Sequence, residues 1–264
     1  MRKIKSENLI IKANQLVEAK YRLTVNEQKV IYKLISLIKK DDDCFKTYSI
    51  KIKDLSTMID TKSKNMYSQI KLITRSLQKK IFTIYDSKRN EELHVSWLAS
   101  SLYKYGEGIV ELEFSYKLKP YLLQLKEAFT KFDLNNVLKL KSVYSCRIYE
   151  FLKQYERIGQ RVMRIDDIKS KLDIIDEYKL YTNFKQKVIT QAQKEINEKT
   201  DIYFEYEELK EGRKVVAIKF LIKDNLAITL KDNIIKDSFD TKTSKSLEEK
   251  NITEDKEIQK LISD

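Results

Sequence analysis

Residues 181–199 carry amide, ammonium and hydroxyl groups at a spacing that places them together on one side of a helix. With about 100° per residue, the apolar Phe184, Val188 and Ile196 share the other side. Asparagine and glutamine amides pair bidentately with adenine, and lysine pairs with N7 and O6 of guanine. The segment therefore predicts a helix that reads bases in the major groove, with an ordinary solvated helix face as the alternative. Its polar side has no acidic residue and consists of Asn183, Gln186, Lys187, Thr190, Gln193 and Lys194.

A cationic hairpin is predicted directly after this helix. Two β-rich runs, residues 201–209 and 214–222, are joined by a turn at residues 210–213. Arg213 and Lys214 lie at the end of the hairpin, where basic side chains suit contacts with phosphates. A polar helix followed by a basic hairpin is the arrangement of a winged-helix DNA-binding domain.

A second basic amphipathic helix is predicted over residues 62–80. Met66, Ile70 and Leu77 cluster on one side at helical spacing. The opposite side is cationic and suits contacts with the DNA backbone. It is lined by Lys64, Ser68, Lys71, Arg75 and Lys79.

The order of the predicted elements occurs twice along the chain. Each copy has a helix, a strand, a short helix, a longer helix and a hairpin, which is the order of a winged helix-turn-helix. Both strand-to-helix junctions share one pattern of apolar residues, over residues 52–59 and again over residues 165–172. In each, the second apolar residue lies three positions after the first, and the third lies four positions after the second. The predicted fold class is α+β, with two tandem winged-helix domains. Their predicted extents are 1–126 and 127–224, followed by a polar, flexible tail over 225–264.

Four local features add expectations about the elements between these helices. Thr24 and Glu27 fit a capping box at the start of a helix. Residues 80–118 predict a three-stranded β-meander with one long middle strand. Pro120 opens a predicted helix that connects the two domains. Asp41–Asp43 are expected to form a solvated turn.

The charge of the chain is positive and unevenly distributed. The 264 residues have a formal net charge of +12 at pH 7. Residues 225–264 hold 7 Lys and 9 acidic side chains, so residues 1–224 have a net charge of +14. A basic body favours a polyanionic partner. No apolar run reaches the length of a bilayer span, so we expect a cytoplasmic protein without a membrane partner.

Catalytic, cofactor and metal sites are not predicted. The sequence has neither a P-loop nor a G-x-G-x-x-G motif. His94 is the only histidine, whereas a rolling-circle nickase typically pairs its tyrosine with a two-histidine metal site. Cys44 and Cys146 lack further ligands for zinc and are expected to be reduced thiols. The sequence therefore favours a binding protein over an enzyme.

Three blocks of the sequence resemble the iteron-binding plasmid replication initiators, a family with two winged-helix domains in tandem. The first block begins at Asn8 and reads NLIIKANQLVEAKYRLTVNEQKVIYKLI. The second reads YKLKPYLLQLKEAFTKFDLNNVLKLKSVYSCRIYEFLKQY, and the third reads FKQKVITQAQKEINEKTDIYFEYEELKEGRKVVAIKF. Together they extend from Asn8 to about Ile222, so the resemblance leaves out only the tail.

The resemblance implies a non-enzymatic initiator that binds direct repeats in double-stranded origin DNA. It implies opening of an adjacent AT-rich segment and loading of the host replicative helicase, with a host initiator as a further partner. It also implies a homodimer, formed through the first domain, that represses its own promoter. The recognition helix of the family falls on residues 181–199 and its wing near Arg213. A winged-helix transcriptional repressor without a replication role is the alternative. A membrane-surface or scaffold protein that uses its charge alone is a third hypothesis.

Overall fold

The structure is a computed structural model that describes residues 8–61, 63–86, 89–226 and 228. The described residues up to Asp224 form one compact unit. Their buried apolar side chains make one continuous core that extends from Ile10 to Ile222. The predicted flexible tail over 225–264 lies almost entirely outside the described residues.

The first half of the chain alternates short helices with strands. Two one-turn 3-10 helices, Ser63–Asn65 and Tyr105–Glu107, lie between its longer elements. The elements are β1 Leu9–Ala13, α1 Asn14–Glu18, α2 Val25–Ser36, β2 Tyr48–Lys51, α3 Ile52–Met58, α4 Met66–Lys79, β3 Ile81–Asp86, β4 Glu91–Ser96, β5 Leu98–Lys104 and β6 Ile109–Phe114.

The second half contains one long interrupted helix and one long hairpin. A 3-10 turn at Tyr116–Leu118 leads into it. Its elements are α5 Lys119–Leu122, β7 Phe129–Asp133, α6 Leu134–Leu138, α7 Val143–Lys153, β8 Gln160–Arg164, α8 Ile165–Lys171, α9 Tyr181–Phe184, a π-helical segment Lys185–Thr190, α10 Gln191–Lys199, β9 Ile202–Glu211 and β10 Lys214–Asp224.

Two three-stranded antiparallel sheets have the same topology and confirm the tandem winged-helix prediction. Their strand orders are β2-β6-β5 and β8-β10-β9, so in each the early strand pairs with the last strand of the hairpin. The repeated sequence pattern lies where each early strand passes into a helix. Ile52 and Ile165 are the first residues of α3 and α8, and both are buried. The shared pattern therefore reflects one packing arrangement used twice.

The capping box predicted at the start of α2 is present. The backbone N–H of Thr24 donates to the Glu27 carboxylate at 2.6 Å, and the Glu27 N–H donates to Thr24 Oγ1 at 3.3 Å. The same carboxylate accepts a hydrogen bond from Lys80 at 2.7 Å. Although partial burial opposes ionisation, the hydrogen bonds from Lys80 and the Thr24 backbone hold the pKa of Glu27 below its usual value. The cap thus also ties α2 to the end of α4.

The prediction of one three-stranded meander over 80–118 is wrong. The long middle strand divides at Trp97 into β4, which pairs with β3, and β5, which joins the sheet of β2 and β6. Trp97 and Leu98 are both buried, although neighbouring residues of one strand point to opposite faces. The Trp97 ring stacks on Phe82 with ring centroids 4.4 Å apart. Burying Trp97 in the core therefore turns the chain out of the plane of the first hairpin.

The prediction of a connecting helix after Pro120 is also wrong. Helix α5 ends at Leu122, and Gln124 and Ala128 both have φ near +50°, a left-handed conformation that ends regular helix. The chain then forms β7, which pairs antiparallel with β1. That partner lies over a hundred residues earlier, so a local pattern does not reveal it. The domain boundary between residues 126 and 127 stays a prediction.

The turn at Asp41–Asp43 is only partly solvated, which corrects the sequence expectation. Asp42 is buried, and its carboxylate accepts a hydrogen bond from the Lys39 backbone N–H at 2.8 Å and pairs with the Lys46 ammonium. The hydrogen bond from Lys46 lowers the pKa of Asp42. This side chain therefore packs inside the turn that follows α2 rather than facing water.

A buried cluster of charged side chains joins the start of the chain to α7. Lys12 Nζ donates to Glu150 Oε1 at 2.5 Å and to the Tyr21 hydroxyl at 3.0 Å. The Arg147 guanidinium pairs with the other oxygen of Glu150 and also donates to the Val17 carbonyl at 2.9 Å. Both Lys12 and Glu150 have no solvent-exposed side-chain surface. Burial lowers the pKa of Lys12 to about 8, while Lys12 and Arg147 hold the pKa of Glu150 below its usual value against the opposing effect of burial.

Candidate nucleic-acid interface

The predicted recognition helix is continuous from Tyr181 to Lys199 and presents an exposed polar side. The predicted core residues Phe184, Val188 and Ile196 are all fully buried. Gln193 is half-buried, and its amide donates to the Phe204 carbonyl at 3.1 Å, so this side chain braces the hairpin. Its role in DNA contact stays a prediction. The other predicted residues of this side are exposed: Asn183, Gln186, Lys187, Thr190 and Lys194.

A π-helical segment, Lys185–Thr190, interrupts the α-helical periodicity in the middle of this helix. Val188 and Ile189 are adjacent in sequence, yet both are fully buried. A π turn holds one more residue than an α turn, so two neighbouring side chains can share the inner side. Ile189 is the core residue that α-helical spacing missed. The extra residue shifts the exposed side chains after it, Thr190 included, relative to those before it.

Glu195 anchors the recognition helix to the start of α7. Its Oε2 accepts hydrogen bonds from the backbone N–H groups of Lys141 and Ser142 at 2.9 and 3.1 Å. Its Oε1 accepts a hydrogen bond from Gln191 at 3.0 Å. A carboxylate at the N-terminus of a helix is favoured by the helix dipole and satisfies N–H groups that have no partner within the helix. The orientation of α10 on α7 is therefore held by polar contacts as well as by packing.

The hairpin of β9 and β10 forms the predicted wing. Gly212 has φ of +62°, and with Arg213 it makes the tight turn between the paired Glu211 and Lys214. Arg213 and Lys214, the predicted phosphate contacts, are both exposed. Within the described residues neither side chain forms a salt bridge. The wing therefore ends in two cations that are not engaged by carboxylates of the described chain.

Glu208 of β9 connects the wing to the recognition helix. Its carboxylate accepts hydrogen bonds from Lys185 Nζ at 2.7 Å and from the Tyr181 hydroxyl at 2.8 Å. The hydrogen bond from Lys185 lowers the pKa of Glu208, and the same bond raises the pKa of Lys185. Lys185 lies between the predicted base-reading residues but is engaged by this carboxylate. Sequence reasoning missed the pair because its members are distant in sequence.

The acidic residues of β9 are matched by basic residues across the sheet. Lys223 pairs with Glu205 at 3.2 Å, and Lys219 pairs with Glu207 at 3.4 Å. These cross-strand pairs offset the negative charge of an otherwise acidic strand. The basic tip of the wing thus remains the dominant charge at the end of the hairpin.

Helix α4 occupies the corresponding position in the first winged helix and gathers the second predicted set. Lys71 is half-buried, with its ammonium 5.3 Å from the Tyr105 ring centre and 5.7 Å from that of Tyr103. These rings hold the cation over the hairpin of β5 and β6. Leu72 is 61% exposed beside it, an apolar residue that the sequence reading did not place on this side. The remaining predicted residues are exposed: Ser68, Arg75 and Lys79 lie on α4, whereas Lys64 lies in the 3-10 helix Ser63–Asn65 before it.

The residues with potential for other chemistry lie apart. His94 is exposed, with Nδ1 3.2 Å from Thr83 Oγ1, and Cys44 is exposed. Cys146 is buried, and burial raises the pKa of its thiol. Among the residues that the structure describes, no group of three or more histidine, cysteine or acidic side chains could hold a metal ion.

Within the described part of the chain, no helix combines the length and the apolar character needed to cross a bilayer.

Two winged-helix folds in one compact unit, each with a basic helix next to a hairpin, define the class of tandem winged-helix proteins. The family sequence model described as "Initiator Replication protein, WH1" matches residues 9–153. A second model, described as "Initiator Rep protein, WH2", matches residues 164–222. The chain belongs to this family of replication initiator proteins.

Individual relatives come from Escherichia coli. A "Replication initiation protein" is 27% identical over 202 residues, which are 73% of this chain and 63% of that protein. The "PI protein" is 30% identical over 158 residues, which are 53% of this chain and 51% of that protein. The chain thus spans between half and two thirds of the length of these two relatives. An "Uncharacterized 27.6 kDa protein" is 23% identical over 220 residues, 78% of this chain and 92% of that protein.

A solved structure has the same fold. It is described as the Pi initiator protein in complex with iteron DNA, and it is 22% identical to this chain. The TM-score is 0.68, and the match covers 83% of this chain and 98% of that chain. The tandem winged-helix architecture is therefore shared at low sequence identity.

Proposed function

We propose that this protein is a plasmid replication initiator that binds direct repeats, or iterons, in double-stranded origin DNA. The observation that carries the proposal is the exposed side of the recognition helix, with its amide and ammonium groups, next to a wing that ends in Arg213 and Lys214. It belongs to a chain of the initiator family whose residues 1–224 have a net charge of +14. The same fold binds iteron DNA in the Pi complex, which supports the choice of ligand.

The two basic helices have different proposed roles. The amide and ammonium groups on the 181–199 helix read base edges in the major groove. Arg213 and Lys214 contact phosphates, and so do the basic residues of α4. Phosphate contacts position the protein without selecting a DNA sequence, so specificity lies mainly in the second winged helix.

Further parts of the proposal concern partners. Binding to the repeats promotes opening of the origin and loading of the host replicative helicase, with a host initiator as a further partner. A homodimer in equilibrium with the monomer represses the gene of the protein. The protein acts in the cytoplasm and has no catalytic step of its own. Family membership and resemblance support these points.

Substituting Lys187 with alanine tests base reading. If Lys187 contacts a base, we expect a loss of about 1–3 kcal/mol on the cognate repeat and a relaxed preference at one position. The measurement is a gel shift on the repeat, on single-base variants and on random DNA, with Lys131→Ala on β7 as an exposed lysine control. Equal weakening on every sequence would instead identify a phosphate contact.

Two assays test the wider function. Purified protein incubated with supercoiled origin DNA and a divalent metal should leave the DNA uncut, whereas a nicked product would contradict a non-enzymatic initiator. Supplied in trans, the protein should support replication of a plasmid that carries the repeats but lacks the gene. A repressor without a replication role would bind its promoter and fail this second assay.

A further inference from the structure

An apolar groove of about 900 Å³ lies in the first winged helix, between β1, the end of α2 and the segment after α5. Successive side chains of strand β1 point alternately into the core and into the groove, and the second set forms one wall of the groove. Ile10 and Lys12 point into the core and are fully buried, whereas Leu9 and Ile11 are only half-buried and line the groove. The other walls are formed by Ile35, Leu37, Ile38, Leu122 and Leu125. We name this surface, with its rim, the docking groove.

The rim of the docking groove is basic. Lys39, Lys40 and Lys126 are exposed, and Asp41 is the one acidic residue in the lining. None of the three lysines forms a salt bridge with any residue that the structure describes. Three cations around an apolar floor attract a ligand that is apolar on one side and acidic at its edges. Nucleic acid fits this surface poorly, because the apolar floor offers no donor to phosphates or base edges.

We propose that the docking groove binds an amphipathic helix with acidic flanks, supplied by a protein partner. Apolar side chains of such a helix at positions i, i+3 or i+4 and i+7 would enter the groove. Carboxylates beside that stripe would meet Lys39, Lys40 and Lys126, whereas a basic helix would bring like charges together. This inference stands apart from the proposed DNA function, because the peptide is measured against a surface that contains none of the proposed DNA contacts.

The test measures fluorescence anisotropy of a labelled synthetic helix of about five turns with a leucine stripe and glutamate flanks. One control peptide has the same composition with scattered leucines, and a second has lysines in place of the glutamates. For the acidic peptides the full chain is held in excess duplex DNA, so that the proposed DNA surface is occupied. The lysine peptide would itself bind DNA, so it is measured without DNA. We expect the striped acidic peptide to bind at least about tenfold more tightly than either control.

Substitutions in the chain locate the binding. Ile11→Glu should weaken the acidic peptide about tenfold by placing a charge on the apolar wall. The exposed pair Lys39→Glu and Lys126→Glu should reverse the preference in favour of the lysine peptide, and it leaves the core unchanged. A gel shift on DNA confirms that each variant is folded.

Three results would overturn the proposal. These are equal binding of the striped and scattered peptides, unchanged preference in the charge-reversed variant, and absence of binding to the full chain. The last result would be obtained if the groove were already filled by another segment of the chain or by a second copy.

Discussion

The buried cluster of Lys12, Arg147 and Glu150 makes a quantitative prediction about stability. Two cations share one carboxylate in a region without solvent access, so Glu150 is the residue on which the charge balance depends. Glu150→Gln would leave both cations without a counter-charge, at a cost of about 3–5 kcal/mol in the free energy of unfolding. A matched control is Glu111→Gln, which removes the carboxylate of a partly exposed pair with Lys104 and should change stability little.

Lys12 differs from Glu150 because burial outweighs its attraction to the carboxylate and favours its neutral form. Burial lowers the pKa of Lys12 from 10.5 to about 8 in the folded protein. Between these two pH values the unfolded chain retains a proton that the folded chain has lost, so the contribution of Lys12 to stability rises with pH. At about 1.4 kcal/mol per pKa unit, the full effect is about 3 kcal/mol. Lys12→Met keeps the shape of the chain and removes this pH dependence.

Urea unfolding followed by circular dichroism at pH 7, 8, 9 and 10 measures both effects. The difference in unfolding free energy between the native chain and Lys12→Met isolates one residue, because all other titrating groups are common to the two proteins. We expect the native chain to gain stability relative to Lys12→Met above pH 8. A constant difference across the range, or a cost below about 1 kcal/mol for Glu150→Gln, would refute the reasoning about buried charge.

Three further predictions concern the recognition helix and wing. Glu195→Ala leaves two backbone N–H groups at the start of α7 without their acceptor, so urea unfolding should show a loss of about 1–3 kcal/mol, and full stability of this variant would contradict the anchoring role. Glu208→Gln removes the carboxylate that engages Lys185, so the affinity of the protein for random DNA should rise. The dependence of that affinity on salt should steepen by about one ion, and an unchanged salt slope would argue against a nearby phosphate. Gly212→Ala places a side chain at φ of +62° and should cost about 1 kcal/mol in thermal unfolding, whereas Gly106→Ala, with open space and no positive φ, is the control that should not.

Elements held together by nearby residues were predictable from the sequence. The capping box at Thr24 and the basic helix α4 follow from periodicity and capping rules that act within a few residues. The two winged helices were recognisable because the same order of elements occurs twice and similar apolar residues, Ile52 and Ile165, begin corresponding helices. Repetition in the sequence supplied information about tertiary structure that a single copy would not have supplied.

Features that depend on distant partners were not predictable. Strand β7 is not indicated by the sequence, because its partner β1 lies about 120 residues earlier in the chain. The division of the meander at Trp97 depends on stacking with Phe82, which no local spacing indicates. The charged cluster likewise joins Lys12 to Glu150, residues that are 138 positions apart. These features therefore fall where a long-range contact outweighs local preference.

The recognition helix shows how a correct helix prediction can still leave the DNA-reading residues undetermined. An α-helical stripe accounts for Phe184, Val188 and Ile196, so their spacing does not indicate the π-helical segment. The additional buried residue, Ile189, shifts every later side chain around the helix axis relative to the earlier ones. The side chains of Asn183 and Lys194 therefore project at a relative angle that a regular α-helix would not provide. If this phase determines specificity, then deleting Ile189 should alter which repeat is preferred more strongly than it weakens binding to random DNA, and a parallel loss on both would argue that the segment serves packing alone.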